Sequence, residues 1–382
     1  MKRKLVSMGG NMSGKMSRRQ SRAMWTDVVT RCLPRLEVAG LAAQGELREV
    51  LSDHVCELWG GMGAIMELQA KFSSGDERTL IAKVINLPAE PKNTSERRKK
   101  ASYEVEARFY ERGHAERLAK AGAPCPVPLL VDRPSGADGG GRLTICMTQV
   151  CGCPSHNLSA HQMHAALGWL ARLHAAYWGP RADEAVADGG LHEQGCYWHL
   201  DTRLEELERW TDDHGFEGRL RRAARAVDAR LKAERHQTIC HGDSKSENML
   251  FADGGRSVSM YDFQYVGKAS PGKDLAYCLI CTSRDLSESA QVAYLEHYLS
   301  ELKPLLEAQG DVPPTLEELR IAYGLGVCDL SRWMVGWNKQ YWASFKRMMQ
   351  PRCEPTLRAV DGGKLLESED AYREAMFSAF PP

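Results

Sequence analysis

The 382-residue sequence has no apolar run long enough to cross a bilayer, which excludes a helical membrane span. It has no net charge either: fifty Lys and Arg stand against fifty Asp and Glu. No global field draws such a chain to nucleic acid or to an anionic membrane, and neither is expected as a partner. No apolar signal core opens the chain, and its twelve cysteines fall at irregular spacings, so reduced thiols and a cytoplasmic location are expected. Cys278 and Cys281 have CxxC spacing, but they lie inside the apolar run LAYCLICTS with no second ligand pair nearby, and read as buried helix cysteines. Cys151 and Cys153 make an isolated CxC. Internal repeats are lacking, so the chain is no solenoid or propeller.

What is present is an ordinary globular composition, 43% hydrophobic, enough for a sizeable core in two lobes. The first 26 residues hold seven Lys or Arg, four Ser and no acid, the composition of a basic disordered tail and equally of an organellar transit peptide. Residues 27 to about 58 read as helical patches such as ELREVLSDHVCEL, with a break at Cys32-Leu-Pro34. The period then changes. Glycines at 60, 61 and 63 precede AIMELQAKF, a turn at Ser73 to Asp76, and TLIAKVINL, a glycine turn feeding a β-hairpin with Met66, Leu68, Ala70 and Phe72 on one face. Residues 95 to 120 carry Tyr103, Ala107 and Tyr110 at helical spacing. A Pro-rich connection (AGAPCPVPLLV), a glycine turn at 139 to 141 and a short strand, LTICMTQV, follow. From about 152 the pattern is mainly helical, interrupted by one island of strand, QTICHGDSKSENMLF and SVSMYDFQYVG.

That island carries the chemistry. Asp243 and Asn248 stand five residues apart on a loop between short strands, and Asp262 arrives on the next strand, fourteen residues after Asn248. Phosphoryl transfer needs a carboxylate to accept a hydroxyl proton, oxygen ligands for Mg²⁺ and cations along the phosphates.

The string His241-Gly242-Asp243-Ser244-Lys245-Ser246-Glu247-Asn248 with Asp262-Phe263-Gln264 resembles the catalytic loop and metal-binding motif of the protein-kinase superfamily. Its HGD form is that of aminoglycoside and choline phosphotransferases, and DFQ with the later DLAY is similar to the choline-kinase-like and ecdysteroid-kinase-like group. The resemblance implies an α+β, two-lobed fold: an N-lobe of about 27–150 with a small antiparallel sheet and a helix, and a larger, mainly helical C-lobe of 151–382. It implies ATP and Mg²⁺ as cofactors, Asp243 as catalytic base, Lys245 on the transferred phosphoryl group, Asn248 and Asp262 as metal ligands, and His241 as a structural anchor. Lys83 matches the strand lysine that grips the α and β phosphates. Glu106 matches its helix partner, with Glu104 as the competing acid. Gly61 and Gly63 would belong to the phosphate loop, although Met66 stands near the third glycine's place and a tight hairpin turn accounts for the same residues. Adenine would bond to backbone near Met147 to Gln149.

The departures from protein kinases concern regulation and docking. Gly242 replaces the Arg of HRD, Gln264 replaces the DFG glycine, and no APE motif follows. A small-molecule hydroxyl is therefore the expected acceptor, whether a choline-like amino-alcohol, a steroid, a sugar or an aminoglycoside-like compound. A nucleotide-binding pseudokinase scaffold and a true protein kinase are the rival readings. Asp274 is expected to cap the helix LAYCLICTS. Asp329, Trp333, Trp337 and Tyr341 resemble the helix of choline-kinase-like relatives whose rings and acid face the cleft; core packing accounts for the same stripe. The oligomeric state is not legible.

Overall fold

The computed structural model describes residues 18–133, 140–188, 190–211 and 213–382. They divide into two compact units, one formed by the chain up to Lys100 with Pro126–Gln149, the other by Ala101–Cys125 with Val150–Pro382.

In the first unit, helix α1 (Arg18–Val38) buries Trp25, Val28, Val29, Cys32 and Leu36 along one stripe. The basic segment expected to be a tail thus yields residues 18–26 to a folded helix, while residues 1–17 lie outside the described residues. The expected break at Pro34 does not occur. Burying Leu36 contributes about 2 kcal/mol, and with Cys32 it offsets the roughly 3 kcal/mol that an interior proline costs. Strand β1 (Leu47–Glu57) corrects a second expectation, because ELREVLSDHVCEL reads as helix. Only Val50 is buried on β1, so a helical stripe would pack against little, and the antiparallel ladder with β2 (Gly63–Phe72) decides instead. β2 and β3 (Glu77–Leu87) form the expected hairpin. β4 (Pro128–Asp132) falls in the stretch read as a Pro-rich connection. With β5 (Gly141–Thr148) it completes a sheet of order β1-β2-β3-β5-β4. Leu68, Ala70, Phe72, Leu80, Ala82 and Cys146 make its core with α1. Of the glycine turn expected at 139 to 141, Gly139 lies outside the described residues.

Helix α2 (Thr94–Glu111) begins in the first unit and continues in the second; at Gly113, φ +77°, the chain breaks and α3 (His114–Lys120) follows. The second unit then runs α4 (Ala160–Ala176), α5 (Pro180–Ala187), α6 (Leu204–Glu208), α7 (Gly215–Lys232), β6 (Thr238–Cys240), β7 (Met249–Ala252), β8 (Ser257–Met260), β9 (Gly267–Ala269), α8 (Pro271–Thr282), α9 (Glu288–Glu307), α10 (Leu316–Trp337), α11 (Lys339–Asp361) and α12 (Glu369–Ala379). β6 pairs with β9 and β7 with β8, so the loop between β6 and β7 is held at both ends by antiparallel pairs. α8 and α10 approach backbone to backbone: a Cβ on Gly272 would lie 2.3 Å from the Ala322 carbonyl, and one on Gly326 would lie 2.5 Å from the Gly272 oxygen. Arg219 of α7 holds Asp361 in a bidentate pair at 2.7 and 2.8 Å and Glu354 at 2.8 Å, tying α7 to α11. Among the described residues no helix is long and apolar enough to cross a membrane.

Candidate active site

The loop after β6 is shaped by two residues. Gly242 has φ +81°, and a Cβ there would lie 2.1 Å from the Tyr265 oxygen, so no residue with a side chain fits. The Gly that replaces the kinase arginine is thus required by the backbone. The second residue, Asp274, corrects the sequence reading: the N-cap of α8 is Ser270, whose Oγ accepts from the Gly272 N–H at 3.3 Å. Asp274 lies inside the first turn, wholly buried, and accepts from the His241 N–H at 2.6 Å, the Gly242 N–H at 3.0 Å and the Ser244 hydroxyl at 3.2 Å. His174 Nε2 donates a further bond at 3.3 Å, while its Nδ1 accepts from the Tyr298 hydroxyl at 2.7 Å. Burial pushes the Asp274 carboxyl up, but His174, His241 and the Gly242 N–H outweigh it and hold the group below the ordinary carboxylate range. His174, Cys240 and Asp274 are also the one trio among the described residues spaced for a metal, and these hydrogen bonds already use its carboxylate.

His241 anchors the loop as expected of it. It is fully buried, Nδ1 accepts from the Asp243 N–H at 3.3 Å, and Nε2 faces the Tyr261 carbonyl at 3.2 Å, a pattern that fits the neutral ring with its proton on Nε2. Burial lowers its pKa below the ordinary histidine value. One ring therefore connects Asp243 to the residue preceding Asp262.

Asp243 is 3% exposed. The Lys245 ammonium lies 3.0 and 2.8 Å from its two oxygens, and Asn248 Nδ2 donates to its carbonyl at 2.8 Å and to Oδ2 at 3.0 Å. Burial disfavours the Lys245 ammonium, yet Asp243, Asp262 and Glu247 raise its pKa overall. The Tyr261 N–H donates to the Asn248 carbonyl at 3.2 Å, so Asp262 follows directly on a segment bonded to the loop that carries Asp243, Lys245 and Asn248. Asp262 adopts φ +70°, a strained conformation for a residue with a Cβ. Phe263 behind it is fully buried and stacks on Phe109 of α2 at 3.9 Å. Gln264 donates from Nε2 to Asp262 Oδ1 at 2.6 Å and accepts from the Ser102 hydroxyl of α2 at 3.2 Å.

The remaining expected residues are placed as follows. Lys83 is buried on β3 of the first unit, and Glu106 is buried on α2 in the second. The glycine loop joins β1 to β2, closed by the Leu58 N–H to the Gly63 carbonyl at 2.8 Å. Gly61 faces open space, whereas a Cβ on Gly63 would meet the Val84 oxygen at 1.9 Å. The close approach of β3 therefore requires glycine at position 63. Met147 lies on β5, and Gln149 follows it, exposed, 3.4 Å from Glu67. Cys278 is buried on α8 and Cys281 exposed.

The aromatic stripe is not on one helix. α10 ends at Trp337, Asn338 caps α11, and Tyr341 lies on α11. Trp333 is 6% exposed, but Trp337 and Tyr341 are 48% and 40% exposed, so core packing holds for the first alone. Of the two accounts of this stripe, Asp329 follows the core one: it is 1% exposed and paired with Lys273 at 2.9 Å and Arg332 at 2.6 Å. Sequence reasoning missed Tyr197, which packs edge-on against Trp333 at 5.1 Å and meets Tyr265 and Tyr277. Burial raises the Tyr197 phenol, and the charge of Asp243 raises it further; the preceding residue lies against the loop, where a Cβ on Gly242 would be 2.8 Å from the Cys196 nitrogen. Arg203 covers Tyr197 and Trp333, 5.6 and 6.0 Å from their centroids.

Solved structures resemble this one. A protein of Ralstonia eutropha assigned as an aminoglycoside phosphotransferase matches with a TM-score of 0.51 at 12% identity over 92% of this chain and 98% of that one, a likeness of fold. A choline kinase of Streptococcus pneumoniae shares 14% identity over 87% and 99% of the two chains, TM-score 0.48. An ethanolamine kinase of Plasmodium vivax shares 15% over 81% and 84%, TM-score 0.46. Curated proteins gave no match. The fold is that of the kinase-like phosphotransferases. A model of the phosphotransferase enzyme family matches residues 71–308, more than half of the sequence, and the chain belongs to that family.

Proposed function

We propose that this phosphotransferase moves the γ-phosphoryl group of ATP, with Mg²⁺, onto a hydroxyl of a small molecule. The observation that carries the reading is the arrangement around Asp243, whose two oxygens hold the Lys245 ammonium at 3.0 and 2.8 Å, while Asn248 Nδ2 donates to Oδ2 and the Asn248 carbonyl accepts from the N–H of Tyr261, the residue before Asp262. A cation already rests on the carboxylate of this loop, next to the Asn248 amide, which fits a divalent ion beside Asn248 and Asp262. When bound, Mg²⁺ would neutralise charge on the β and γ phosphates. The protein's own groups do the rest. Asp243, fixed by Asn248 and by the loop's bonds to Asp274, orients the acceptor hydroxyl and takes its proton. Lys245 exchanges Asp243 for the transferred phosphoryl oxygens. Asn248 spends Nδ2 on Asp243, so its amide oxygen is the atom suited to a metal. Lys83 is proposed for the α and β phosphates, Glu106 for the helix acid, Gly61 for the phosphate loop, and backbone near Met147 to Gln149 for adenine.

The acceptor favoured is uncharged. The faces of Tyr197 and Trp333 that would cage a quaternary amine carry Arg203, and the charge of Asp329 is matched by Lys273 and Arg332. The test is ADP release with Mg²⁺ and ATP across choline, ethanolamine, sugars, steroids and aminoglycosides. Neutral hydroxyl compounds should support turnover. Asp243→Ala should lower turnover by about 10³-fold or more and leave ATP affinity largely intact; lost ATP affinity with turnover retained would reverse the assignment. Label from ATP entering protein bands would make it a protein kinase, and ATP binding without transfer to any acceptor a scaffold.

A further inference from the structure

We propose that Gln264 is a positioning residue for Asp262 and that Ser102 of α2 orients Gln264 in turn, a relay that rests on reading Asp262 as a metal ligand. A carboxylate oxygen only accepts, so the 2.6 Å contact with Asp262 Oδ1 assigns the Gln264 amide nitrogen to that side without ambiguity. The amide oxygen then faces Ser102 Oγ, which donates to it at 3.2 Å. Both residues are buried, Ser102 at 1% and Gln264 at 9% exposure, so neither bond has water as an easy substitute. The Gln264 main-chain carbonyl is held as well, 3.0 Å from His192 Nε2.

The bond matters because of what it holds. Asp262 stands at φ +70°, and a strained backbone persists only where its surroundings over-determine it. Ser102 and Phe109 lie seven residues apart, on one face of α2. Phe109 grips Phe263 by stacking, and Ser102 grips Gln264 by hydrogen bond, so the helix takes hold of the chain at the two residues after Asp262. One Asp262 oxygen is thereby fixed from α2. A glycine at 264 would provide no such hold, so this sequence exchanges backbone freedom at that position for a fixed carboxylate.

The experiment titrates Mn²⁺ against protein saturated with a non-hydrolysable ATP analogue and follows free Mn²⁺ by electron paramagnetic resonance, a readout independent of turnover. Gln264→Met keeps the side-chain volume and loses both polar ends; it should raise the Mn²⁺ concentration for half-saturation about 10-fold with nucleotide binding in the absence of metal unchanged. Gln264→Glu, which keeps an acceptor for Ser102 and offers Asp262 no donor, should do the same. Ser102→Ala should give a smaller rise, and the Ser102→Ala/Gln264→Met pair no more than Gln264→Met alone. Equal Mn²⁺ binding in wild type and both Gln264 variants, or effects that multiply in the pair, overturns the relay while leaving Asp262 as a ligand. Wild-type protein that takes up no Mn²⁺ with nucleotide overturns the metal reading itself and the relay with it.

Discussion

Asp274 holds the shape of the loop that presents Asp243, and it does so from inside a helix. Four donors converge on its carboxylate, two of them the main-chain N–H groups of His241 and Gly242. Removing a buried charge of this kind leaves its donors unsatisfied, so Asp274→Ala is expected to cost about 3–5 kcal/mol, measured by denaturant unfolding, and to abolish turnover. An unchanged unfolding midpoint would show that the loop does not depend on it. The residue was visible in the sequence as an acid at the start of an apolar helix, but its role was not, because capping and loop anchoring look alike until the partners in the loop after β6 are in place. The same is true of Gly242: HGD named the position, while the reason for glycine lies in the Tyr265 carbonyl beside it. Asp243, Lys245, Asn248 and Asp262 were legible because they sit on two short segments whose spacing is itself the signal.

Elements were legible where a local period and a turn agreed. The β2–β3 hairpin shows alternation, a turn and burial on one face, and all three coincide with the ladder from Gly63 to Ile85. β1 and β4 were not, because each is a strand only by virtue of its neighbour, β1 with one buried residue and β4 inside a proline-rich stretch. The aromatic stripe failed for a related reason: i, i+4 spacing continues across Asn338, but that side chain caps α11 by accepting from Gln340 and Tyr341 N–H. The α8–α10 contact yields a test at this scale. Gly326→Val would push a side chain into the Gly272 carbonyl, already 2.5 Å from where Cβ would lie. It should destabilise the protein by about 1–3 kcal/mol or more, seen as a lower thermal midpoint. An unshifted midpoint would mean that the two helices separate without cost.

Over the whole molecule, histidine burial sets an acid limit on stability. Burial lowers His114 to about 4 and His199 to about 3, and lowers His192, His236 and His241 in the same direction. All five lie in the second unit. A histidine whose folded pKa is depressed binds fewer protons folded than unfolded across the interval between the two values. Stability is therefore full above the unfolded value near 6.5 and falls as pH drops below it, by about 2 kcal/mol each for His114 and His199 at pH 5. Asp274 adds its own loss lower down: its folded pKa is depressed, so its contribution is present above the ordinary carboxylate range and vanishes as pH falls through the folded value. Calorimetry from pH 7.5 to 4.5 should show the melting temperature of the second unit falling steadily; a flat profile would mean that these rings take up protons without unfolding.

The sequence alone determined the class of chemistry, because the residues read as base, metal ligands and lysine lie on one loop and in the short segment just after β8, and such local spacing survives without coordinates. It also determined the hairpin, whose pattern and turn are local. Tertiary structure decided what depends on partners far along the chain: that Asp274 ties down the loop, that Asp329 is already matched by two cations, that Gln264 is held from α2, and that β1 is a strand. Each of these turns on a hydrogen bond, an ion pair or a ladder between residues remote in sequence, and no periodicity encodes such a meeting.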